Sequence, residues 1–231
     1  MGLSPEWNKA SNMDRYLKKL IAEGEGQKLD FKYCISDSRK ISRTLSAFAN
    51  SDGGTLLIGV RDNGSIAGVR SDEEYYMIDT AAKLFCRPEI PVNIKHHTAD
   101  GKTILEVEVE KGEQRPYEAR GEDGKWHAYF RKNDQNLEAN NIVRLLWKKN
   151  KRETGVLIRF GKPENLLMDY LKKNENITFS GFRKIAGIPY YRAEKILVNL
   201  LLCDVLVMDV SEKGYTYRIN QNTGSQDNKP V

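Results

Sequence analysis

Ala47-Phe-Ala-Asn-Ser-Asp-Gly-Gly-Thr-Leu-Leu-Ile-Gly-Val60 is the stretch around which the chain is organised. An apolar helix end runs into the polar break Asn50-Ser51-Asp52. Gly53-Gly54 supplies the backbone freedom for a sharp reversal. The run Thr55-Leu-Leu-Ile-Gly-Val60 has the length and branching of a strand buried on both faces. Arg61-Asp62-Asn63-Gly64 predicts an Asn-Gly hairpin turn, with Ser65-Ile66-Ala67-Gly68 as the return. The residues before 150 read as built to cover this helix–turn–strand–hairpin unit.

Working outward, residues 1–13 read as a loose leader. Asp14 to Ala22 suits a short helix, broken by Glu23-Gly24-Glu25-Gly26. Lys28-Leu-Asp-Phe-Lys32 alternates like a half-buried strand. Ile41, Leu45 and Phe48 form one stripe of the helix that ends at Asn50. Downstream, Asp72 to Phe85 is helical by pattern and is stopped by Pro88 and Pro91. Val92 to Lys95 and Thr103 to Glu110 read as strands joined at Asp100-Gly101, the second alternating apolar and acidic positions. Arg115-Pro-Tyr117 is a short extended piece, and Lys125 to Arg131 is another strand. Ala139 to Lys149 closes the region as a helix with Ile142, Val143, Leu146 and Trp147 inward.

A basic linker over 151–162 separates a second region, 163–219, with its own rhythm. Glu164 to Lys173 is a helix; Thr178 caps a second that stops at Gly187; Pro189 opens a third. Two short strands follow, Val205 to Met208 and Tyr215 to Ile219. Three short helices and a β-hairpin predict a winged helix. The tail, 220–231, is polar and expected to be disordered. On the third helix Ala193, Ile196, Leu197, Leu200 and Leu201 share the core face. Tyr191, Arg192, Lys195 and Asn199 share the opposite one, and these residue types reach bases and phosphates. Lys213 at the wing tip and Arg218 are placed for the backbone. The alternative is a solvated face on a small interaction domain.

The 231 residues carry a net charge of +5. Residues 151–231 hold 13 Lys+Arg against 9 Asp+Glu, leaving 24 against 23 in residues 1–150. The basic surplus favours a polyanion partner for the second region, and its modest size favours a homodimer for tight binding. Cys34, Cys86 and Cys203 are odd in number and unpaired in spacing, which fits reduced thiols in a cytoplasmic protein and excludes a Cys-x-x-Cys zinc site. No apolar run is long enough to cross a membrane.

Three features in the first region invite chemistry. Glu25, Asp30 and Asp62 lie at strand ends; converged, they would hold Mg²⁺ or Mn²⁺ and support phosphodiester cleavage. Apart, they are solvated or cap turns. Asp52-Gly53-Gly54 offers either an anion-binding nest or a tight turn. No Gly-x-x-x-x-Gly-Lys-Ser/Thr pattern supports a P-loop. Arg115, Tyr117, Tyr129, Arg131 and Lys132 either line a nucleic-acid groove or flank strands. His96 and His97 are adjacent on a strand and point to opposite faces. They cannot chelate together, and His127 has no patterned partner.

Glu25-x4-Asp30-Phe-Lys32, the 47–60 stretch and Asn63-Gly-Ser-Ile-Ala-Gly68 resemble the Schlafen AlbA-like domain family. Arg115-Pro-Tyr117 and Tyr129-Phe-Arg-Lys-Asn133 look like that family's closing strands. The resemblance spans roughly residues 14–140. It implies an α+β fold, an AlbA-like Schlafen domain with a mixed β-sheet and flanking helices, here over 14–150, followed by the small winged-helix domain. Bacterial members of the family often carry such a domain and are catalogued as transcriptional regulators, DNA-binding or ATP-binding proteins. Animal relatives include endoribonucleases acting through three acidic residues, to which Glu25, Asp30 and Asp62 are similar. The family usually has glutamate where this chain has Asp30, which retracts the carboxylate by about 1.5 Å. The combined expectation is a cytoplasmic transcriptional regulator that binds DNA. RNA is the other nucleic acid the resemblance admits, with a metal-dependent endoribonuclease or an ATP-binding regulator as alternatives.

Overall fold

The helix that ends at Asn50 runs between two sheets. The computed structural model describes residues 15–149, 159–211 and 213–221. The leader, residues 151–158 of the linker and residues 222–231 of the tail lie outside the described residues. The chain divides into two compact units, Met1–Ala139 and Asn140–Val231.

In the first unit a helix over 15–23 (α1) precedes β1 (Leu29–Lys32), α2 (Ser38–Asn50) and β2 (Gly54–Ile58). There follow α3 (Glu73–Leu84), β3 (Cys86–Arg87), β4 (Val92–Ala99) and β5 (Lys102–Val109). The unit closes with β6 (Glu118–Arg120), β7 (Trp126–Lys132) and β8 (Gln135–Glu138). One sheet has the order β1-β2-β5-β4; β1 and β2 are parallel and the other pairs antiparallel, so it is the mixed sheet expected. A second sheet, β3-β6-β7-β8, is antiparallel.

α2 is buried on most of its circumference, and its two faces differ chemically. Asp37 caps its start, the side chain accepting from Arg39 N. Ile41, Leu45, Phe48 and Ala49 join Leu56, Ile58, Leu105, Val107 and α3's Ile78 in one core. The other face is Ser46 and Asn50, turned to the second sheet. Ser46 Oγ donates to Tyr117 O and accepts from Tyr129 N. Asn50 Nδ2 donates to Tyr117 O at 2.7 Å and Tyr129 O at 2.8 Å, and its Oδ1 accepts Tyr117 N at 2.8 Å. The polar break therefore fastens the helix to the second sheet by pairing the Tyr117 N–H and the Tyr129 carbonyl, while Tyr117 O is shared with Ser46.

The opposite face of the mixed sheet is covered by α1, with Leu17, Phe31, Leu57 and Ile104 in a second core. This explains why Glu106, an acidic position in the alternating strand β5, is buried. Tyr16 of α1 donates to its Oε1 at 2.6 Å, and His97 of β4 is hydrogen-bonded to its Oε2. His96 and His97 do point to opposite faces, the first exposed and the second buried. Strand β2 is shorter than the apolar run that encodes it. Val60 and Ile66 form one isolated bridge, and the turn closes with Gly64 N to Arg61 O at 2.7 Å.

The second unit starts with α4 (Asn141–Lys149), whose Ile142 enters a core with Leu167, Phe182, Leu197 and Tyr217. The helix read as the last of the first region thus packs with the second. Then come α5 (Lys162–Leu171), β9 (Ile177–Thr178), α6 (Phe179–Ala186), α7 (Tyr190–Leu202), β10 (Leu206–Ser211) and β11 (Gly214–Ile219). Thr178 caps α6 by accepting Gly181 N, and Gly187 ends it in the left-handed conformation. The three strands form an antiparallel sheet, β10-β11-β9.

Candidate functional site

The acidic trio is not assembled. Asp30 sits in β1 opposite Leu56 and is buried. Arg131 Nη2 donates to its Oδ1 at 3.1 Å. Lys32 Nζ lies 2.9 Å from Oδ2, an ion pair too poorly aligned to count as a hydrogen bond. Glu25 does meet Asp30, side chain to side chain, and its Oε1 accepts Phe31 N at 2.8 Å. Burial raises the Glu25 pKa; the Phe31 N–H works against this and the neighbouring Asp30 carboxylate adds to it. Asp62 stands apart in the exposed turn after β2. Among the described residues no group of three or more His, Cys, Asp or Glu is placed to hold a metal ion. The expected Mg²⁺ or Mn²⁺ site therefore does not fit: two carboxylates meet, and cations already occupy one of them.

The glycine turn is a packing device. Gly53 has φ +71° and its N–H is spent on Phe48 O at 3.0 Å, closing α2. A Cβ there would lie 2.7 Å from Val109 O, and one on Gly54 would lie 2.5 Å from the Phe48 ring. Asp52 is held by Gln27 Nε2 at 3.2 Å and faces Lys111 at 3.5 Å. The anion nest expected at Asp52-Gly53-Gly54 has thus lost one donor to the helix end.

Arg131 is a correction. It was expected to face a nucleic acid, yet it is 3% exposed. Its guanidinium donates to Gly26 O at 3.0 Å, Asn136 Oδ1 at 2.9 Å, Leu29 O at 3.1 Å and Asp30. A cation so spent, with four of its five N–H donors engaged and the group buried, joins β7 to β1 and is closed off from a phosphate. Tyr117 is buried, and Arg115 is half-buried with Nη1 3.4 Å from Asn50 O. His127, unpartnered by pattern, is flanked by Glu138 at 2.7 Å and Asp123 at 3.1 Å, and the Glu138 hydrogen bond raises its pKa.

On α7, Ala193, Ile196, Leu197 and Leu200 are buried, while Leu201 is half-buried. Tyr191 is 72% exposed, and Arg192 and Lys195 are exposed beside it. Further along this face α7 is covered: Val198 is buried, and Asn199 is half-buried with its Oδ1 accepting Lys149 Nζ from α4 at 3.1 Å. Lys213 is exposed at the β10–β11 turn. Arg218 is committed to Asp209 across the hairpin at 2.7 Å.

One surface has no counterpart in the sequence reading. Tyr33 follows β1, Arg61 follows β2 and Arg70 precedes α3. The parallel pairing of β1 and β2 brings their C-terminal ends together, so Arg61 and Arg70 lie over the Tyr33 ring at 4.8 and 5.1 Å from its centroid. Arg70 Nη2 donates to Tyr33 Oη at 3.0 Å, which lowers the tyrosine's pKa. Only the strand pairing signals this cluster, since its members span 38 positions.

No curated protein matches the chain. Among solved structures it is similar to the N-terminal domain of a RecG-related protein from Nitrosomonas europaea, with 22% identity and a TM-score of 0.39, over 56% of this chain and 95% of that one. It is also similar to the DIP2311 protein from Corynebacterium diphtheriae, with 14% identity and a TM-score of 0.45, over 94% of this chain and 39% of that one. The family model described as Schlafen, AlbA_2 matches residues 25–140. That match carries the Glu25–Asp30 pair, the 47–60 stretch and the second sheet, and it covers half of the chain: the protein belongs to the Schlafen AlbA_2 family.

Proposed function

We propose that this protein binds nucleic acid and acts as a transcriptional regulator, its second unit being a winged helix that sets α7 in the major groove of duplex DNA. The observation that carries this reading is the division of α7 itself. One face is locked into the core by Ala193, Ile196 and Leu197, which holds Tyr191, Arg192 and Lys195 outward on a rigid element. Cations on a fixed helix meet phosphates and base edges without first being ordered. The order of three helices and a hairpin, with β9 completing a three-stranded sheet, fits the same assignment. Lys213 at the hairpin turn adds a phosphate contact. Family membership supports a nucleic-acid partner in general.

The test is a gel shift of the full chain on genomic fragments at several salt concentrations. Replacing Arg192 and Lys195 together by alanine is expected to weaken binding across sequences and to reduce the salt slope by about 2, near 0.9 per lost phosphate contact. Unchanged affinity and slope in that variant would remove the groove reading.

A further inference from the structure

The second unit holds a cavity of about 310 Å³ that the duplex reading leaves unexplained. Its walls are aromatic. Phe179 of α6 and Tyr190 of α7 meet with ring centroids 4.7 Å apart and planes tilted by 59°, so they form a corner rather than a stack. Tyr215 and Tyr217 of β11 supply two further rings. Tyr190 is exposed, Phe179 and Tyr215 are half-buried and Tyr217 is buried, so the rings grade from an open mouth to a closed floor.

Three helices begin at this cavity. Asn140 caps α4, its Oδ1 accepting Val143 N at 3.0 Å; Thr178 caps α6; and Tyr190 is the first residue of α7. All three line the space. A helix start carries N–H groups without intrahelical partners and a partial positive charge. Lys213, exposed at the β10–β11 turn, adds a full one. Among the described residues no aspartate or glutamate lines the cavity. Glu194, whose charge reaches Tyr217, is not a lining residue, and Arg183 lies over the Tyr190 ring at 5.7 Å from its centroid.

Tyr217 carries a separate signal. Its hydroxyl is buried near the Asn140 side chain, too poorly aligned for a hydrogen bond, and among the described residues it has no other partner. Buried polar groups are seldom left so. Burial raises its pKa, so the proton stays and the group is a donor without an acceptor. The Tyr190 hydroxyl is held by Asn141 Nδ2 at a long 3.4 Å. Flat rings suit a flat apolar body, helix starts with Lys213 suit a negative group, and the unpaired hydroxyl suits an acceptor.

We infer that this cavity is a binding site for a small aromatic carboxylate. The ring packs against Phe179, Tyr190 and Tyr215, and the carboxylate faces the helix starts and Lys213, with Tyr217 Oη as donor. The volume stands at the lower end of the about 300–1,000 Å³ usual for ligand sites, which suits a body of one or two rings. The inference does not rest on the duplex reading.

The test is a ligand-observed NMR titration of the full chain with benzoate, and with benzamide and benzylamine as its neutral and cationic counterparts. Benzoate is expected to bind with a Kd of about 1 mM or tighter, as its size allows, and about tenfold tighter than either counterpart. Tyr217→Phe keeps the ring and removes the hydroxyl, and should weaken benzoate about tenfold. Lys213→Ala should weaken benzoate about threefold and leave benzamide unchanged. Tyr190→Leu should weaken both about fivefold. Arg192→Ala with Lys195→Ala should bind benzoate like wild type, so this site and the groove reading stand or fail separately. No binding of benzoate at about 10 mM, ten times that Kd, would overturn the inference. So would benzamide or benzylamine binding as tightly as benzoate, or wild-type affinity in the Tyr190→Leu and Lys213→Ala variants. Tyr190 and Lys213 are exposed, and an unchanged melting temperature in those two variants separates lost binding from lost fold.

Discussion

Replacing Asn50 by alanine removes the clamp between α2 and the second sheet. The side chain donates to Tyr117 O and Tyr129 O and accepts from Tyr117 N, and it is 2% exposed. Tyr117 O keeps Ser46 Oγ as a donor at 2.9 Å, so that group is not orphaned. The buried Tyr117 N–H and the Tyr129 carbonyl each lose the Asn50 contact. At about 1–3 kcal/mol for each buried polar group left unmade, the expected cost is roughly 2–6 kcal/mol, centred near 4. Alanine's better helix propensity recovers at most about 0.5 kcal/mol, and little of that at a final helical residue. Near 4 kcal/mol is a large part of the about 5–15 kcal/mol typical of a domain. At about 2–4 °C per kcal/mol, the transition falls by roughly 8–16 °C. Differential scanning calorimetry reads this directly, because only the transition of the first unit should move. The near-isosteric Asn50→Asp separates the donors from the volume. It retains an acceptor for Tyr117 N–H but sets a carboxylate oxygen against two carbonyls, so it should be at least as damaging at neutral pH. A drop smaller than about 1 kcal/mol for alanine, or an Asn50→Asp protein as stable as wild type, would show that the donors are not what fastens the helix.

The remaining expectations concern other parts of the same framework. Gly53→Ala should destabilise the first unit by about 1–3 kcal/mol, since a Cβ at φ +71° also meets the Val109 carbonyl at 2.7 Å and backbone there cannot step aside; urea denaturation measures it. Glu25→Gln should be stabilising at neutral pH. The raised Glu25 pKa means that a contribution fully present below the ordinary glutamate range is lost as pH rises through the raised value, and the amide keeps Phe31 N–H while offering Asp30 a donor. The check is stability against pH from 4 to 8, where the variant's curve should be flatter. Asn199→Ala should leave duplex affinity unchanged, because Asn199 Oδ1 is engaged by Lys149; a loss as large as that of Arg192→Ala in the gel shift would place Asn199 on the DNA.

Legibility in the sequence followed the distance between interacting partners. The mixed sheet and its central helix were readable because Ile41, Leu45 and Phe48 repeat at helical spacing and Thr55 to Ile58 is a short apolar run. The same holds for α7, where burial of Ala193, Ile196 and Leu197 leaves Arg192 and Lys195 outside by simple periodicity. Asn50 read correctly as the end of a helix but not as a clamp, because its partners lie in β7 and beside β6, 79 and 67 residues away. Strand β9 has two residues and β3 has two, too short for any alternation to show. Glu106 looked like a solvent position in a strand with one wet face, until α1 brought Tyr16 over it.

Charged residues misled for a physical reason that also indicates where to look next. An arginine in a sequence carries no sign of whether its five donors will be consumed. Arg131 is consumed, because β7 lies beside the start of β1 and three backbone or side-chain acceptors converge there with Asp30. Arg61 and Arg70 are not, because the β1–β2 pairing gathers them beside Tyr33, where among the described residues neither is ion-paired and the carboxylate of Glu74 accepts backbone N–H groups instead. Folding thus sorts the same residue type into cross-links and contacts available to a ligand. The sorting criterion is whether the guanidinium has found acceptors inside the chain. By that criterion the first unit offers its cations at the C-terminal ends of β1 and β2, and the second offers them along α7.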